Sequence, residues 1–339
     1  MADIRHTTLS RREVILATER KFRPDQFAPR DGPPPPCPFC PGNEHLAPPK
    51  QLEWRDDRSR WKLRVVPNKF PAVRVEGTSK FLVDGFESVG IADAHGMHDV
   101  LVETPDHAAT HATLSVVQHR DILWAIHARC QDLRGDTRLH DLRVFKNYGP
   151  DAGASLEHPH TQIIGLPFIP AEPLERWNRL EQYYYHNGVS IFTRALEKAR
   201  AADLIVLEND AFVCYCPYES RFPFEMWIMP KEDVAHFDDL QPHYDPLAQI
   251  ISQTFRLLEK AVGFLPPFNA YLDEGPPRVK RNCNGFYRFR YRIMPRLSRI
   301  AGLELATGCF INTVPPEQAA KRLREVAVEP SVTPVPAAV

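Results

Sequence analysis

No apolar run in this 339-residue chain approaches the ~18 consecutive residues that a membrane-spanning helix requires. The opening Met1-Ala2-Asp3-Ile4-Arg5 lacks the apolar core of a secretory signal. An excess of either charge is missing too. The formal net charge is −1, so no global basic field draws in nucleic acid or an anionic membrane surface. A cysteine framework is also absent, since seven cysteines is an odd number with no regular spacing. A cytoplasmic protein with free thiols, no nucleic-acid partner and no membrane contact is expected.

What the chain does have is a hydrophobic content of 43%, enough for a real core in one large or two ordinary domains. Its 33 prolines concentrate at Pro33–Pro36 and in a tail over 328–339, which is too poor in apolar surface to offset ordering entropy and is expected to be disordered. Period-two apolar segments predict strands near 62–66, 98–103, 142–147 and 158–166. Ile122, Leu123, Ile126, Cys130 and Leu133 keep helical spacing and predict a helix near 117–133. The second half reads as a repeat of this order, with strands near 211–216 and 224–229, a helix near 245–262, and strands near 268–273 and 286–294, the alternative being a chance succession that any mixed protein shows. A linker is expected around 167–205, where Trp177, Leu180 and Tyr183–Tyr185 suggest a helix across the halves.

The most informative segment is Glu157-His158-Pro159-His160-Thr161-Gln162, followed by the apolar Ile163-Ile164-Gly165-Leu166. Pro159 argues against a helix there. On an extended segment, side chains repeat every two residues, so His158, His160 and Gln162 form one polar row beside a buried run. Three such groups are costly to bury without partners. The row calls for a phosphate and a metal. Cys37-Pro38-Phe39-Cys40 lies in a proline-rich loop, where two thiolates two residues apart can reach one tetrahedral zinc. A redox pair or two unrelated thiols are the alternatives, and the flanking prolines weigh against the first. His107, in Thr104-Pro105-Asp106-His107, and His158 are the candidates for the remaining ligands, with a surface or helix-capping role the alternative for His107. Cys214 and Cys216 alternate within a strand and read as core thiols.

With these residues in view, Cys37-x-x-Cys40, Thr104-Pro105-Asp106-His107, Asn147-x-Gly149, Gly153-x-Ser155-x-x-His158-Pro159-His160-x-Gln162 and Phe222-Pro223-Phe224-Glu225 resemble the galactose-1-phosphate uridylyltransferase family, a branch of the histidine-triad superfamily. The likeness runs from about Arg20 to Val326. Phe224–Lys231 and Gly308-Cys309-Phe310-Ile311-Asn312 look nearer still to the plant ADP-glucose phosphorylase branch. The resemblance implies an α+β, histidine-triad-like fold duplicated in one chain, with an antiparallel half-barrel sheet flanked by helices. It implies an N-terminal half over 1–190, a C-terminal half with a degenerate triad over 191–327, and a homodimer.

The same resemblance implies that His160 is the nucleophile, that Gln162 binds the transferred phosphoryl group, and that Cys37, Cys40, His107 and His158 hold one structural zinc. It implies that Arg20 and Arg23 clamp substrate phosphate, that Asn68 and Phe70 contact the nucleoside, that Asn147, Gly153 and Ser155 line the phosphates, and that Glu304 meets the sugar. From the residues alone, the two arginines and Glu304 read equally well as surface charge. The second half departs from the pattern. Where relatives place metal-binding histidines, this chain has Arg288-Phe289-Arg290-Tyr291-Arg292, and of those ligands only His236 remains. An ion-pair network with Glu225 or another carboxylate is expected in place of a second metal.

Phosphoryl and nucleotidyl transfer need in-line positioning and positive groups around charged oxygens. A neutral imidazole can also capture the α-phosphorus covalently. Glutamine at position 162 offers hydrogen bonds but no proton, which favours leaving groups and acceptors that are already phosphates. The expected function is therefore nucleotidyl transfer between nucleotide sugars and sugar 1-phosphates through a nucleotidyl-histidine. Phosphorolysis of a nucleotide sugar such as ADP-glucose by inorganic phosphate, a histidine-triad hydrolase, and a non-catalytic binding module are the alternatives. Spacing does not separate uracil from adenine, nor one sugar from another.

Overall fold

The computed structural model describes residues 2–328 apart from 8–12, 29–31, 33–34, 78–80, 84–88, 278–282 and 284. The expected disordered tail lies outside the described residues, except for Val328, which ends a helix; part of the Pro33–Pro36 run lies outside them too. In chain order the elements are β1 (Asp3–Thr7), β2 (Glu13–Leu16), β3 (Leu52–Arg55), β4 (Trp61–Pro67), β5 (Phe81–Val83), β6 (Val89–Asp93), β7 (Met97–Val102), α1 (Val116–Leu133), β8 (Asp141–Tyr148) and β9 (His160–Leu166). They continue as α2 (Ala171–Asn187), α3 (Ile191–Ala201), β10 (Ile205–Glu208), β11 (Phe212–Tyr215), β12 (Met226–Pro230), α4 (Tyr244–Val262), β13 (Phe268–Asp273), β14 (Arg290–Pro295), α5 (Gly302–Thr307) and α6 (Pro316–Val328).

Ten strands form one antiparallel sheet in the order β10-β11-β12-β14-β13-β8-β9-β7-β4-β3. Read outward from the central β13–β8 pair, the two sides are mirror images: β8-β9-β7-β4-β3 and β13-β14-β12-β11-β10. The register repeats as well. Val144 pairs Ile163 and Phe145 pairs Gln162 on one side, while Ala270 pairs Ile293 and Tyr271 pairs Arg292 on the other. Arg288, Arg290 and Arg292 therefore occupy the places of His158, His160 and Gln162.

Alternation divides the strands between two faces. Leu63, Val65, Leu101, Val144, Ile163, Met226, Ile228, Ala270 and Ile293 point to one face, where α1 and α4 cover them in a single core. Helix α1 starts on a capping box, with Ser115 Oγ accepting from the Gln118 N–H and the Gln118 side chain returning to the Ser115 N–H. Its buried stripe of Ile122, Leu123, Ile126, Cys130 and Leu133 meets α4. Cys214 and Cys216 lie fully within this core, as their alternation suggested. The opposite face of the sheet carries Val66, Val100, Val102, His160 and Gln162, and it receives the loop from Cys37 to Cys40.

Four features depart from the sequence reading. The strand placed at 158–166 begins at His160, because Pro159 has no N–H to donate to a neighbour, although its carbonyl still accepts from Glu103 N–H at 3.2 Å. The strand placed at 286–294 likewise begins only at Arg290. The linker is two helices, α2 and α3, broken at Gly188, which adopts φ +67° and ends α2. Trp177 on α2 is buried in one cluster with Phe192, Val213 and Trp227, the Arg143 guanidinium of β8 lies over its ring at 5.7 Å, and Arg176 beside it pairs with Asp273 of β13 at 3.0 Å. A second, four-stranded sheet, β2-β1-β6-β5, has no counterpart in the sequence reading. Among the described residues no helix is long and apolar enough to cross a membrane.

Candidate active site and metal centre

The loop that follows the proline run turns tightly at Cys37-Pro38-Phe39-Cys40, closed by the Cys40 N–H donating to the Cys37 carbonyl at 3.3 Å. That turn brings both sulfurs to one place. His107, just beyond the end of β7, and His158, just before β9, reach the same place from the sheet. The ligand atoms of Cys37, Cys40, His107 and His158 all lie within 4.8 Å of one another. Cys40 Sγ is 3.2 Å from His107 Nδ1 and 3.7 Å from His158 Nδ1. Bond lengths of roughly 2.0–2.3 Å at a tetrahedral centre give ligand separations of about 3.3–3.8 Å, so two thiols and two imidazoles this close suit one tetrahedral metal ion.

The hydrogen-bonding around the cluster agrees with that fit. His158 Nε2–H donates to the Thr104 carbonyl at 2.8 Å, which leaves the Nδ1 lone pair facing Cys40. His107 Nε2 stands 3.6 Å from the Glu157 carboxylate, so its Nδ1 is likewise turned inward. Burial pushes the Cys37 thiol up to about 11, and a neighbouring cation is what would hold that sulfur as a thiolate at neutral pH. Among the described residues this is the one group of His, Cys and acidic side chains that converges on a common point.

His160 is joined to the cluster through the backbone. Its Nδ1–H donates to the His158 carbonyl at 2.8 Å, so the Nε2 lone pair is left free. Burial, reinforced by Lys146, holds the ring near 4, which keeps it neutral in ordinary buffers. Phe39 packs against both imidazoles, with ring centroids 6.0 Å from His158 and 5.6 Å from His160.

Behind the strand sits a charged cluster that the sequence reading missed. Glu103 Oε2 accepts from Lys146 Nζ and from His111 Nε2 at 3.2 Å, and Oε1 accepts from Thr161 Oγ1 at 2.6 Å. Lys146 Nζ also donates to the His160 carbonyl at 3.1 Å, fixing the backbone of the residue in front of it. Burial alone would raise Glu103, but Lys146 and His111 hold it well below the usual carboxylate range. Removing one partner of a buried ion pair leaves the other charge uncompensated. Lys146→Met is therefore expected to lower the unfolding free energy by ~3–5 kcal/mol in a urea titration, well beyond the cost of trimming an exposed lysine.

His160 and Gln162 form the floor of a cavity of about 300 Å³. Its walls include Arg23, Phe39, Asn68, Phe70, Gly153 and Ser155. Gly153 holds φ +79° in the turn that leads to Ser155, a left-handed setting that favours glycine. Asn68 Oδ1 accepts the Phe70 N–H at 2.9 Å, which shapes the wall opposite that turn. Arg20 lies outside the lining and donates to the Phe70 carbonyl; burial, reinforced by the nearby charge of Arg23, lowers its guanidinium from the usual arginine value. Asn147 is set back from the cavity and accepts from Asn269 Nδ2 at 2.9 Å. Glu304 is on the surface, where it accepts from the Ala301 N–H at 2.9 Å and the Ile311 N–H at 3.3 Å and so caps α5. Within one chain, then, the cavity gathers seven of the ten expected catalytic and substrate-binding residues and leaves out Arg20, Asn147 and Glu304.

On the mirrored side, Arg290 and Arg292 share the buried carboxylate of Asp273, at 2.6 and 3.5 Å, and Arg292 also meets Glu225 at 3.2 Å. Arg176 adds a third contact to Asp273 at 3.0 Å, and Arg288 pairs with Asp233. Cations thus fill the positions that His158, His160 and Gln162 hold on the other side. His236 Nε2 donates to the Pro276 carbonyl at 2.9 Å, and among the described residues His236 belongs to no group of converging metal donors.

Residues 42–329 match a protein family described as Domain of unknown function (DUF4921). The ADP-glucose phosphorylase of Arabidopsis thaliana is 32% identical over 96% of this chain and 93% of its own length. The galactose-1-phosphate uridylyltransferase of Thermotoga maritima is 25% identical over 97% of this chain and all of its own. Among solved structures, the Arabidopsis ADP-glucose phosphorylase with bound ADP-glucose superposes with a TM-score of 0.77 at 30% identity, covering 97% of this chain and 100% of that one. A uridylyltransferase structure superposes with a TM-score of 0.78 at 23% identity, covering 96% of this chain and 100% of that one, which establishes the shared fold.

Proposed function

We propose, for a chain that belongs to the galactose-1-phosphate uridylyltransferase-like family of nucleotidyltransferases, that His160 carries the nucleotidyl group between two phosphate-bearing partners. The donor is a nucleotide sugar. The lone pair on His160 Nε2 forms a bond to the α-phosphorus, the α-phosphorus–oxygen bond toward the β-phosphate breaks, and a sugar 1-phosphate leaves. An oxygen of the acceptor phosphate then attacks the same phosphorus, the nitrogen–phosphorus bond breaks, and the imidazole is restored. Throughout, Nδ1–H stays on the His158 carbonyl. The single observation that carries this reading is the Nδ1 hydrogen bond, which leaves Nε2 unprotonated on the floor of the cavity.

The surrounding residues have matching roles. Gln162 and Ser155 donate to the phosphoryl oxygens, Arg23 draws in the anionic substrate with Arg20 behind it, and Asn68 and Phe70 flank the nucleoside. Asn147, Gly153 and Glu304 complete the proposed phosphate and sugar contacts, Asn147 and Glu304 from beyond the cavity of a single chain. Cys37, Cys40, His107 and His158 would hold one zinc, whose contribution is to clamp the loop to the strand that presents His160. The two mirrored sets of strands support a duplicated architecture, divided near residue 190. A homodimer belongs to the same reading, supported by Leu297, Ile300, Leu303, Leu305 and Ile311, apolar side chains exposed along one segment.

Two acceptors fit a site that binds phosphates. A sugar 1-phosphate follows from the uridylyltransferase relatives; inorganic phosphate is favoured by the 32% identity to an ADP-glucose phosphorylase. Both need ping-pong kinetics. Labelled glucose 1-phosphate is expected to exchange into ADP-glucose or UDP-glucose with no second acceptor present. Failure to exchange with either donor, alongside net turnover, would overturn the covalent route. Adding labelled inorganic phosphate to the same mixture tells the two acceptors apart, since only phosphorolysis places label in nucleoside diphosphate.

A further inference from the structure

Two carboxamides border the cavity beside His160, and one buried ring determines which way they face. His98 lies on β7, next to Gln162 on β9. The Ala72 N–H donates to His98 Nδ1 at 3.0 Å, so that nitrogen carries the lone pair and the ring proton sits on Nε2. His98 Nε2 is 3.0 Å from Gln162 Oε1 and donates to it. The remaining polar atom of Gln162, its NH2, is thereby left for other partners, and Gln162 lines the cavity. Reversing the amide would set NH2 against His98 Nε2 and require the ring proton on Nδ1. That proton would face the Ala72 N–H, donor against donor.

Asn68 obeys the same frame. Its Oδ1 is taken by the Phe70 N–H at 2.9 Å. Its Nδ2, 3.3 Å from His98 Nε2, meets a nitrogen that already donates elsewhere, so its N–H groups also remain for the cavity. Burial, reinforced by Arg20 and Arg23 and opposed only by the bond to Gln162, keeps the His98 ring neutral by lowering it to about 4. The tautomer set by Ala72 therefore persists in neutral solution.

The mirrored half repeats the arrangement with other chemistry. Val100 pairs with Gln162 and Trp227 with Arg292, so His98 and Glu225 stand two residues before equivalent positions on equivalent strands. Glu225 Oε1 contacts Arg292 at 3.2 Å, as His98 contacts Gln162. In each half the side chain at this place contacts the third residue of the row.

We infer that His98 is a positioning residue, which aims the N–H groups of Gln162 at the phosphoryl group received by His160. The inference rests on the nucleotidyl-transfer reading above. A carboxamide held the other way would present its carbonyl oxygen to an anion. Held this way, it donates where charge develops, and removing one such donor typically slows catalysis ~10²–10³-fold.

The test compares His98→Leu, which removes both ring nitrogens, with His98→Gln, whose amide can still donate near the Nε2 position. Nucleotidyl-enzyme formation is followed in a single turnover with ADP-glucose and UDP-glucose, and substrate affinity is measured separately. His98→Leu is expected to form the adduct about 10²-fold more slowly with affinity within roughly threefold. His98→Gln is expected to restore most of the rate. In a Gln162→Ala background, His98→Leu should cost nothing further, because the residue it positions is gone. Wild-type rates in His98→Leu, or losses that simply multiply in the double variant, would overturn the assignment. Nitrogen-15 spectra of the wild-type ring give a readout that survives misfolding of any variant: the proton on Nε2 supports the assignment, and the proton on Nδ1 contradicts it. If the wild type forms no adduct at all, the transfer reading fails, while the spectra still decide the tautomer.

Discussion

A His160→Ala variant is expected to fold, to bind nucleotide sugar, and to lose turnover by at least about 10⁴-fold, since nucleophile replacements in covalent enzymes cost up to ~10⁶. The expectation follows from where the two ring nitrogens point. Nδ1–H is committed to the His158 carbonyl at 2.8 Å, and among the described residues lining the cavity Nε2 is the one imidazole nitrogen with a free lone pair. Gln162 cannot substitute for it, because an amide nitrogen is not nucleophilic. The loss should be confined to chemistry. Affinity measured by calorimetry is expected to change little, because Arg23, Asn68, Phe70 and Ser155 keep their places. A variant that retained a tenth of the wild-type rate would move catalysis away from His160 and leave direct displacement by the acceptor.

The second large effect concerns the metal. Cys40 Sγ touches the inward nitrogens of both His107 and His158, so Cys40→Ala removes the donor at the centre of the set. Metal analysis is expected to fall from about one zinc per chain to near zero. A metal held at free concentrations about 10³ times its dissociation constant adds ~4 kcal/mol to stability. In large domains each kcal/mol is worth ~2–4 °C, so a fall of about 10 °C in melting temperature is expected, reproduced in the wild type by a strong chelator. Activity should fall with it. Once His158 is no longer held, its carbonyl is no longer placed to fix the His160 tautomer. Two metals per chain in the wild type would contradict the arginine–carboxylate account of the mirrored site, where Arg290 and Arg292 already satisfy Asp273 and Glu225. An unchanged melting temperature would show instead that the four residues bind no metal of structural consequence.

How much of this was legible in the chain depends on the range of the interaction. The His158–Gln162 row and the Cys37–Cys40 turn are local patterns, readable from strand periodicity and from the spacing that two thiolates need. The helices α1 and α4 were equally plain, because each buries a continuous apolar stripe. Arg288-x-Arg290-x-Arg292, with the same period of two as His158-x-His160-x-Gln162, stands in the equivalent register on the other side of the sheet. What stayed hidden was set by partners distant in sequence. His98 reads as one polar residue at a strand start, and only the pairing of β7 with β9 places it against Gln162. Glu103 and Lys146 are 43 residues apart and meet only when β7, β9 and β8 lie side by side. The small sheet escaped because its strands are three to five residues long, too short for alternation to stand out. Glu304 was legible only through a motif match, and its bonds to the backbone N–H groups of Ala301 and Ile311 follow from the turn into α5 rather than from any local pattern.

The account stands on a covalent intermediate, and intact-protein mass spectrometry addresses it most directly. Wild-type protein mixed with ADP-glucose or UDP-glucose, with no acceptor present, is expected to gain the mass of one nucleoside monophosphate per chain. Peptide mapping should place it on His160, and adding sugar 1-phosphate or inorganic phosphate should discharge it. No added mass from either donor, or an adduct that persists in His160→Ala, would contradict the account.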